Sequence, residues 1–79
     1  MKCGAIVKSL AGHDKDEFFV VISANDEFAF IVDGKNRKLA KPKKKKLRHL
    51  EETGMLADIG AYNPLYDAHI MKELKSLLK

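Results

Sequence analysis

Two runs, Glu17-Phe18-Phe19-Val20-Val21-Ile22-Ser23 and Phe28-Ala29-Phe30-Ile31-Val32, sit four residues apart and limit the fold more than any other feature of the chain. β-Branched and aromatic side chains crowd a helix but fit the pleated surface of a sheet. Both runs are therefore expected as strands, with Ala24-Asn25-Asp26-Glu27 as the turn between them. Upstream, Cys3 to Leu10 alternates loosely around Ala5, Ile6 and Val7 and reads as another strand. It closes on the turn Ala11-Gly12-His13-Asp14-Lys15-Asp16, where Gly and Asp supply tight backbone geometry. Asp33-Gly34 has the composition of a hairpin, because Gly accepts the positive φ that a two-residue turn demands.

Beyond that hairpin, Gly34 to Leu50 places nine basic residues in seventeen positions without one acid. Leu39, Leu47 and Leu50 give the stretch something to bury. Arg37–Ala40 and Leu47–Leu50 are thus expected to pair as short strands, with Pro42 at a bend or edge that needs no backbone donor. The four consecutive lysines, Lys43 to Lys46, are expected to be mobile on that ordered basic face. Glu51-Glu52-Thr53-Gly54 is a polar break, and Met55 to Ile59 an apolar stretch that either pairs or connects. Asn63-Pro64 has the form of a helix start, with Asn as N-cap and Pro at the first helical position. Tyr66, Ile70, Leu74 and Leu78, joined by Leu77, make one apolar stripe. Lys72, Lys75 and Lys79 lie off it or near the C-terminal end, where cations suit the helix dipole.

Short strands, tight turns and one terminal helix predict a mainly β chain. The expected architecture is a small SH3-like half-open barrel over residues 1–60, with a C-terminal α-helix over 61–79 packed on it or docking a partner. Curling a sheet in this way limits its exposed edges. At 79 residues the chain is one domain near the lower limit for independent folding, and its apolar fraction of 46% argues against wholesale disorder. Cys3, the one cysteine, has no disulfide partner within the chain and is expected as a buried strand thiol. No Cys/His cluster has metal-ligand spacing, so neither metal nor cofactor is expected. No apolar run approaches the roughly 18 residues of a membrane span, and no signal peptide is visible. A cytoplasmic protein without a membrane partner is the expectation.

Charge is distributed unevenly. Residues 33–50 hold nine bases against Asp33 alone, whereas the remainder holds six bases against ten acids, for a net charge of +4. Such asymmetry concentrates positive potential on one surface and steers anionic partners toward it.

The stretch Ala5-Ile-Val-Lys-Ser-Leu-Ala-Gly-His-Asp-Lys-Asp-Glu-Phe-Phe-Val-Val-Ile22 resembles a KOW motif, a strand, a Gly-x-Asp-Lys-Gly loop and a second hydrophobic strand. Gly12-His13-Asp14-Lys15 matches the loop and Phe19-Val20-Val21-Ile22 the second strand. Val32-Asp-Gly-Lys-Asn-Arg-Lys-Leu39 and Lys41-Pro-Lys-Lys-Lys-Lys-Leu-Arg-His-Leu50 extend the likeness to roughly residues 3–50. Over that span the chain is similar to stand-alone bacterial KOW-domain RNA-binding proteins. Those in turn resemble KOW-class large-subunit ribosomal proteins of archaea and eukaryotes. Asp16 departs from the motif's final Gly; its charge beside Lys15 weakens phosphate attraction there and shifts weight onto residues 35–48.

The resemblance implies a non-catalytic RNA-binding module, ribosome- or translation-associated, that takes structured RNA, ribosomal RNA foremost. The expected contacts are Lys15, Lys35, Arg37, Lys38, Lys41, Lys43, Lys44, Lys45, Lys46 and Arg48, with His13 a further candidate. Lysine and arginine neutralise phosphates and release counterions, and arginine adds bidentate contacts. Phe18, Phe19, Phe28 and Phe30 are expected mostly in the core, with Phe28 and Phe30 on one face opposite Ala29 and Ile31. Recognition by shape and phosphate is then favoured over base stacking. His13, His49 and His69 read as surface histidines, and the acids Asp14, Asp16 and Glu17 as solvating their turn. Ribosomal or other translation proteins are further candidate partners, and no small-molecule substrate or catalytic residue is indicated. Two alternatives stand beside RNA binding. One is a protein-interaction module that docks through the Tyr66-Ile70-Leu74-Leu78 stripe. The other is a nuclear localisation signal in Lys41-Pro-Lys-Lys-Lys-Lys46.

Overall fold

β1 (Ala5–Ser9) has neighbours on both sides, and neither of its faces is free. In the computed structural model, which describes residues 1–78, it pairs antiparallel with β2 (Phe18–Ala24) and β5 (Leu50–Leu56). β2 pairs in turn with β3 (Phe28–Val32), and β3 with β4 (Lys43–Lys46). The sheet order is β4-β3-β2-β1-β5, antiparallel throughout and unclosed. One helix, α1 (Asp67–Leu77), follows. Lys79, placed by its sequence at the helix end, lies outside the described residues.

A simple length argument explains why the sheet curls into a small SH3-like half-open barrel. β4 and β5 lie at opposite edges, yet only the 3₁₀ turn Leu47–His49 joins them. Across a flat sheet they would stand about 19 Å apart, four spacings of about 4.8 Å. Three 3₁₀ residues rise only about 6 Å. The edges must therefore approach each other. Backbone bonds fix the turn there: Leu47 N–H donates to Glu27 O at 2.9 Å, and Leu10 N–H to His49 O at 2.8 Å.

Curling creates two cores. Ala5, Val7, Phe19, Val21, Ala29, Ile31 and Leu50 fill the inside of the barrel, with Leu47 packed against them. On the opposite face Ile6, Val20 and Val32 meet Ala57 and the fully buried Ile70 of α1, flanked by Leu74, Leu77 and Leu78. Burying each such side chain contributes about 1.5–3 kcal/mol. The helical stripe is thus core, apart from Tyr66, which is 60% exposed.

Several local expectations are corrected. Arg37 to Ala40 is loop, Leu47 to His49 is a 3₁₀ turn, and the lysine run forms the strand instead. The β3–β4 connection is not a two-residue hairpin but runs through residues 33–42. Glu51-Glu52-Thr53-Gly54 belongs to β5, where the glutamates face solvent on an edge and Thr53 Oγ1 donates to Ile6 O at 2.8 Å. Helix α1 begins at Asp67, beyond Asn63-Pro64. Leu65 first reaches the core, and the Tyr66 N–H then donates to His69 Nδ1 at 3.0 Å, which caps the first turn. Cys3 precedes β1 and is exposed, its thiol donating to Ile22 O at 3.0 Å. No helix among the described residues is long and apolar enough to cross a membrane.

Candidate functional site

Lysine is a poor strand former, so a strand made of four lysines needs a cause outside itself. Alternation supplies it. Strand residues point to opposite faces in turn, and the register sets Lys43 and Lys45 opposite Ile31 and Ala29. These two lysines turn to the inner side, where Asp14 lies buried. Lys45 Nζ donates to Asp14 Oδ1 at 2.6 Å and to Ala11 O at 2.6 Å, while Lys43 Nζ donates to Asp14 Oδ2 at 2.7 Å. Ser9 Oγ adds a donation to Asp14 Oδ1 at 2.7 Å. Burial pushes the Asp14 carboxyl up, but the hydrogen bonds from Lys43, Lys45 and Ser9 outweigh it and hold the group well below the usual carboxylate range. Asp14 therefore does not merely solvate its turn. It stitches the β1–β2 loop to the edge strand and makes Lys45, only 8% exposed, a structural residue.

Lys44 and Lys46 take the opposite side and stay exposed, across from Phe30 and Phe28. The two phenylalanines share a face opposite Ala29 and Ile31, as the alternation requires, but that face is the outer one. Of the four phenylalanines expected mostly in the core, Phe19 is buried and Phe18 packs half-buried against the helix-side core, whereas Phe28 is half-buried on the outer face and Phe30 is 37% exposed. The Lys44 ammonium lies 4.2 Å from the centroid of the Phe28 ring. Lys43 to Lys46, Phe28 and His49 together line a shallow groove.

The loop from β3 to β4 is held as firmly. Asp33 Oδ1 accepts the N–H groups of Lys35, Asn36 and Arg37 at 2.9, 2.9 and 2.8 Å. Leu39 N–H donates to Asp67 Oδ1 at 2.8 Å, tying the loop to the start of α1. Gly34, at φ +80°, is buried so tightly that a Cβ would strike the Asp67 carbonyl oxygen and the Met71 side chain. Lys35, Arg37, Lys38 and Lys41 project into solvent from this loop, and Arg48 from the 3₁₀ turn.

The site residues expected from sequence thus divide. Lys35, Arg37, Lys38, Lys41, Lys44, Lys46 and Arg48 are exposed, and among the described residues none has a carboxylate within ion-pair distance. Lys43 and Lys45 are committed to Asp14. His13 and Lys15 are exposed on the β1–β2 loop, apart from this strand and its loop in the chain. Asp16, at φ 72°, holds there the left-handed conformation that suits Gly. Sequence reasoning missed the organising roles of Asp14 and Asp33, and the outward aspect of Phe28 and Phe30. It also missed His69, whose ring stacks on Tyr62 at 4.2 Å between centroids. Only Asp33-Gly34 carried a local signal.

No model of a known protein family matches the chain, and comparison with curated proteins finds no significant match. No group of three or more His, Cys, Asp or Glu side chains that could hold a metal ion occurs among the described residues.

Proposed function

We propose that the protein is a non-catalytic RNA-binding module, associated with the ribosome or translation, that receives the sugar–phosphate backbone of a structured RNA along β4 and the loop before it. One observation carries this reading: seven exposed cations, from Lys35 to Arg48, are displayed by an ordered edge strand, loop and turn, and among the described residues none of them is in ion-pair contact with a carboxylate. Fixed ammonium and guanidinium groups bind phosphates by displacing condensed counterions, without reading sequence. The likeness of residues 3–50 to KOW-domain proteins supports the same reading and favours ribosomal RNA as the target. A docking role for the α1 stripe finds less support, since Ile70, Leu74, Leu77 and Leu78 are already packed on the sheet.

The test separates the two lysine rows. Lys44→Ala with Lys46→Ala should weaken binding of a folded ribosomal RNA fragment. The plot of log K against log salt should flatten by roughly 0.7–0.9 for each phosphate that is no longer neutralised. Thermal stability should stay near that of the parent. If this double variant binds as tightly as the parent with an unchanged salt slope, the basic edge is not the interface.

A further inference from the structure

Phe28 and Phe30 are two of the four phenylalanines in a 79-residue chain that has little apolar surface to spare. Both nevertheless lie on the outer face of β3, Phe28 half-buried and Phe30 exposed, next to the edge strand. Their immediate surroundings name the ligand chemistry. Lys44 stands across from Phe30, Lys46 across from Phe28, and His49 joins them at the groove. A partner that covered this face with aliphatic side chains would add no counter-charge to those ammonium groups, which have only Asp26 and Glu27 near the Phe28 end. A ligand with flat π faces and a negative charge beside each one satisfies both features.

Single-stranded RNA has that pattern, whereas a duplex buries its base faces. We infer that the outer face of β3 and β4 stacks unpaired bases on Phe28 and Phe30, with Lys44 and Lys46 on the flanking phosphates. The inference rests on the RNA-binding reading and narrows it to a loop, bulge or single-stranded stretch of the target. Residues two apart on a strand are about 6.7 Å apart, which leaves each ring room for one base. Phe30 is open, and Ser23 on β2 lies beside it. Phe28 carries the Lys44 ammonium, which a base displaces as the lysine moves to phosphate. Asp26 and Glu27 border the Phe28 end of the platform. Their charge turns the phosphate chain toward Lys41 and the basic loop.

The experiment compares the full chain with Phe30→Leu and Phe30→Trp on two probes, a single-stranded RNA dodecamer and a blunt RNA duplex. Phe30→Leu should lose roughly 5- to 150-fold in affinity for the single strand, the range for one stacked base, with duplex affinity within about twofold. Phe30→Trp keeps a ring and should retain single-strand affinity. The chain has no tryptophan of its own, so the new indole reports alone, and stacking should quench its emission on the single strand. Retained affinity of Phe30→Leu, or binding of Phe30→Trp with unquenched emission, overturns the stacking inference while leaving the basic interface intact. So does a parent protein that binds only the duplex. A parent that binds neither probe in dilute buffer overturns both.

Discussion

Asp14 holds two ammonium groups, a hydroxyl and thereby an edge strand. Removing one partner of a buried ion pair leaves the other without compensation, a loss of about 3–5 kcal/mol. Asp14→Ala is therefore expected to destabilise the fold by about 3 kcal/mol in urea denaturation at neutral pH. Acid should act on the same carboxyl. It ionises more readily in the folded chain than in the unfolded one. Its stabilisation is consequently full above the ordinary carboxylate range, near about pH 4, and is lost as the pH falls through the lower folded value. The urea midpoint of the parent should drop between about pH 4 and pH 2. Asp14→Asn should start lower and show a shallower acid dependence; a parallel decline in both would assign the acid sensitivity to other groups.

At the scale of elements, legibility followed locality. β3 was readable to its ends because four of its five side chains, Phe28, Phe30, Ile31 and Val32, favour a strand. The apolar stripe of α1 was equally plain, but its spacing left open whether the sheet or a partner covers it; the sheet covers Ile70, Leu74, Leu77 and Leu78. β4 was not readable, since nothing in Lys43 to Lys46 favours a strand and the stabilising carboxylate is 31 residues away. Alternation showed that Phe28 and Phe30 share a face. Which face is inside depends on how the sheet curls, and no local pattern states that. The β3–β4 loop shows the same division. Asp33-Gly34 signalled a turn, but its length and docking depend on Asp67 of α1. The docking yields a prediction at this scale. Gly34→Ala meets both a positive φ and the Asp67 carbonyl. It should cost more than about 1 kcal/mol, measured by thermal melting, and loosen the loop that displays Lys35, Arg37 and Lys38. A melting temperature equal to the parent's would show that the loop does not need its seat against the helix.

Over the whole molecule, the basic residues of 35–48 gather on one loop, strand and turn, and folding sets Asp26 and Glu27 beside Lys44, Lys46 and Arg48 at one end of them. Glu51 and Glu52 face solvent on β5, which the turn Leu47–His49 joins to the lysine strand. Near 35–48 the uncompensated charge is positive, which orients an approaching polyanion before contact. The turn Leu47–His49 has a mechanical consequence as well. It works as a clasp: with the two margins of the sheet fastened to each other, neither can be peeled back alone. A ligand dragging on the lysine row loads a hoop rather than a loose end. Severing the backbone between Leu47 and His49 should undo that, and amide exchange over 43–46 should quicken to the rate of an unfastened ribbon. If exchange there stayed as slow as in the intact chain, Asp14 alone would be holding the row in place.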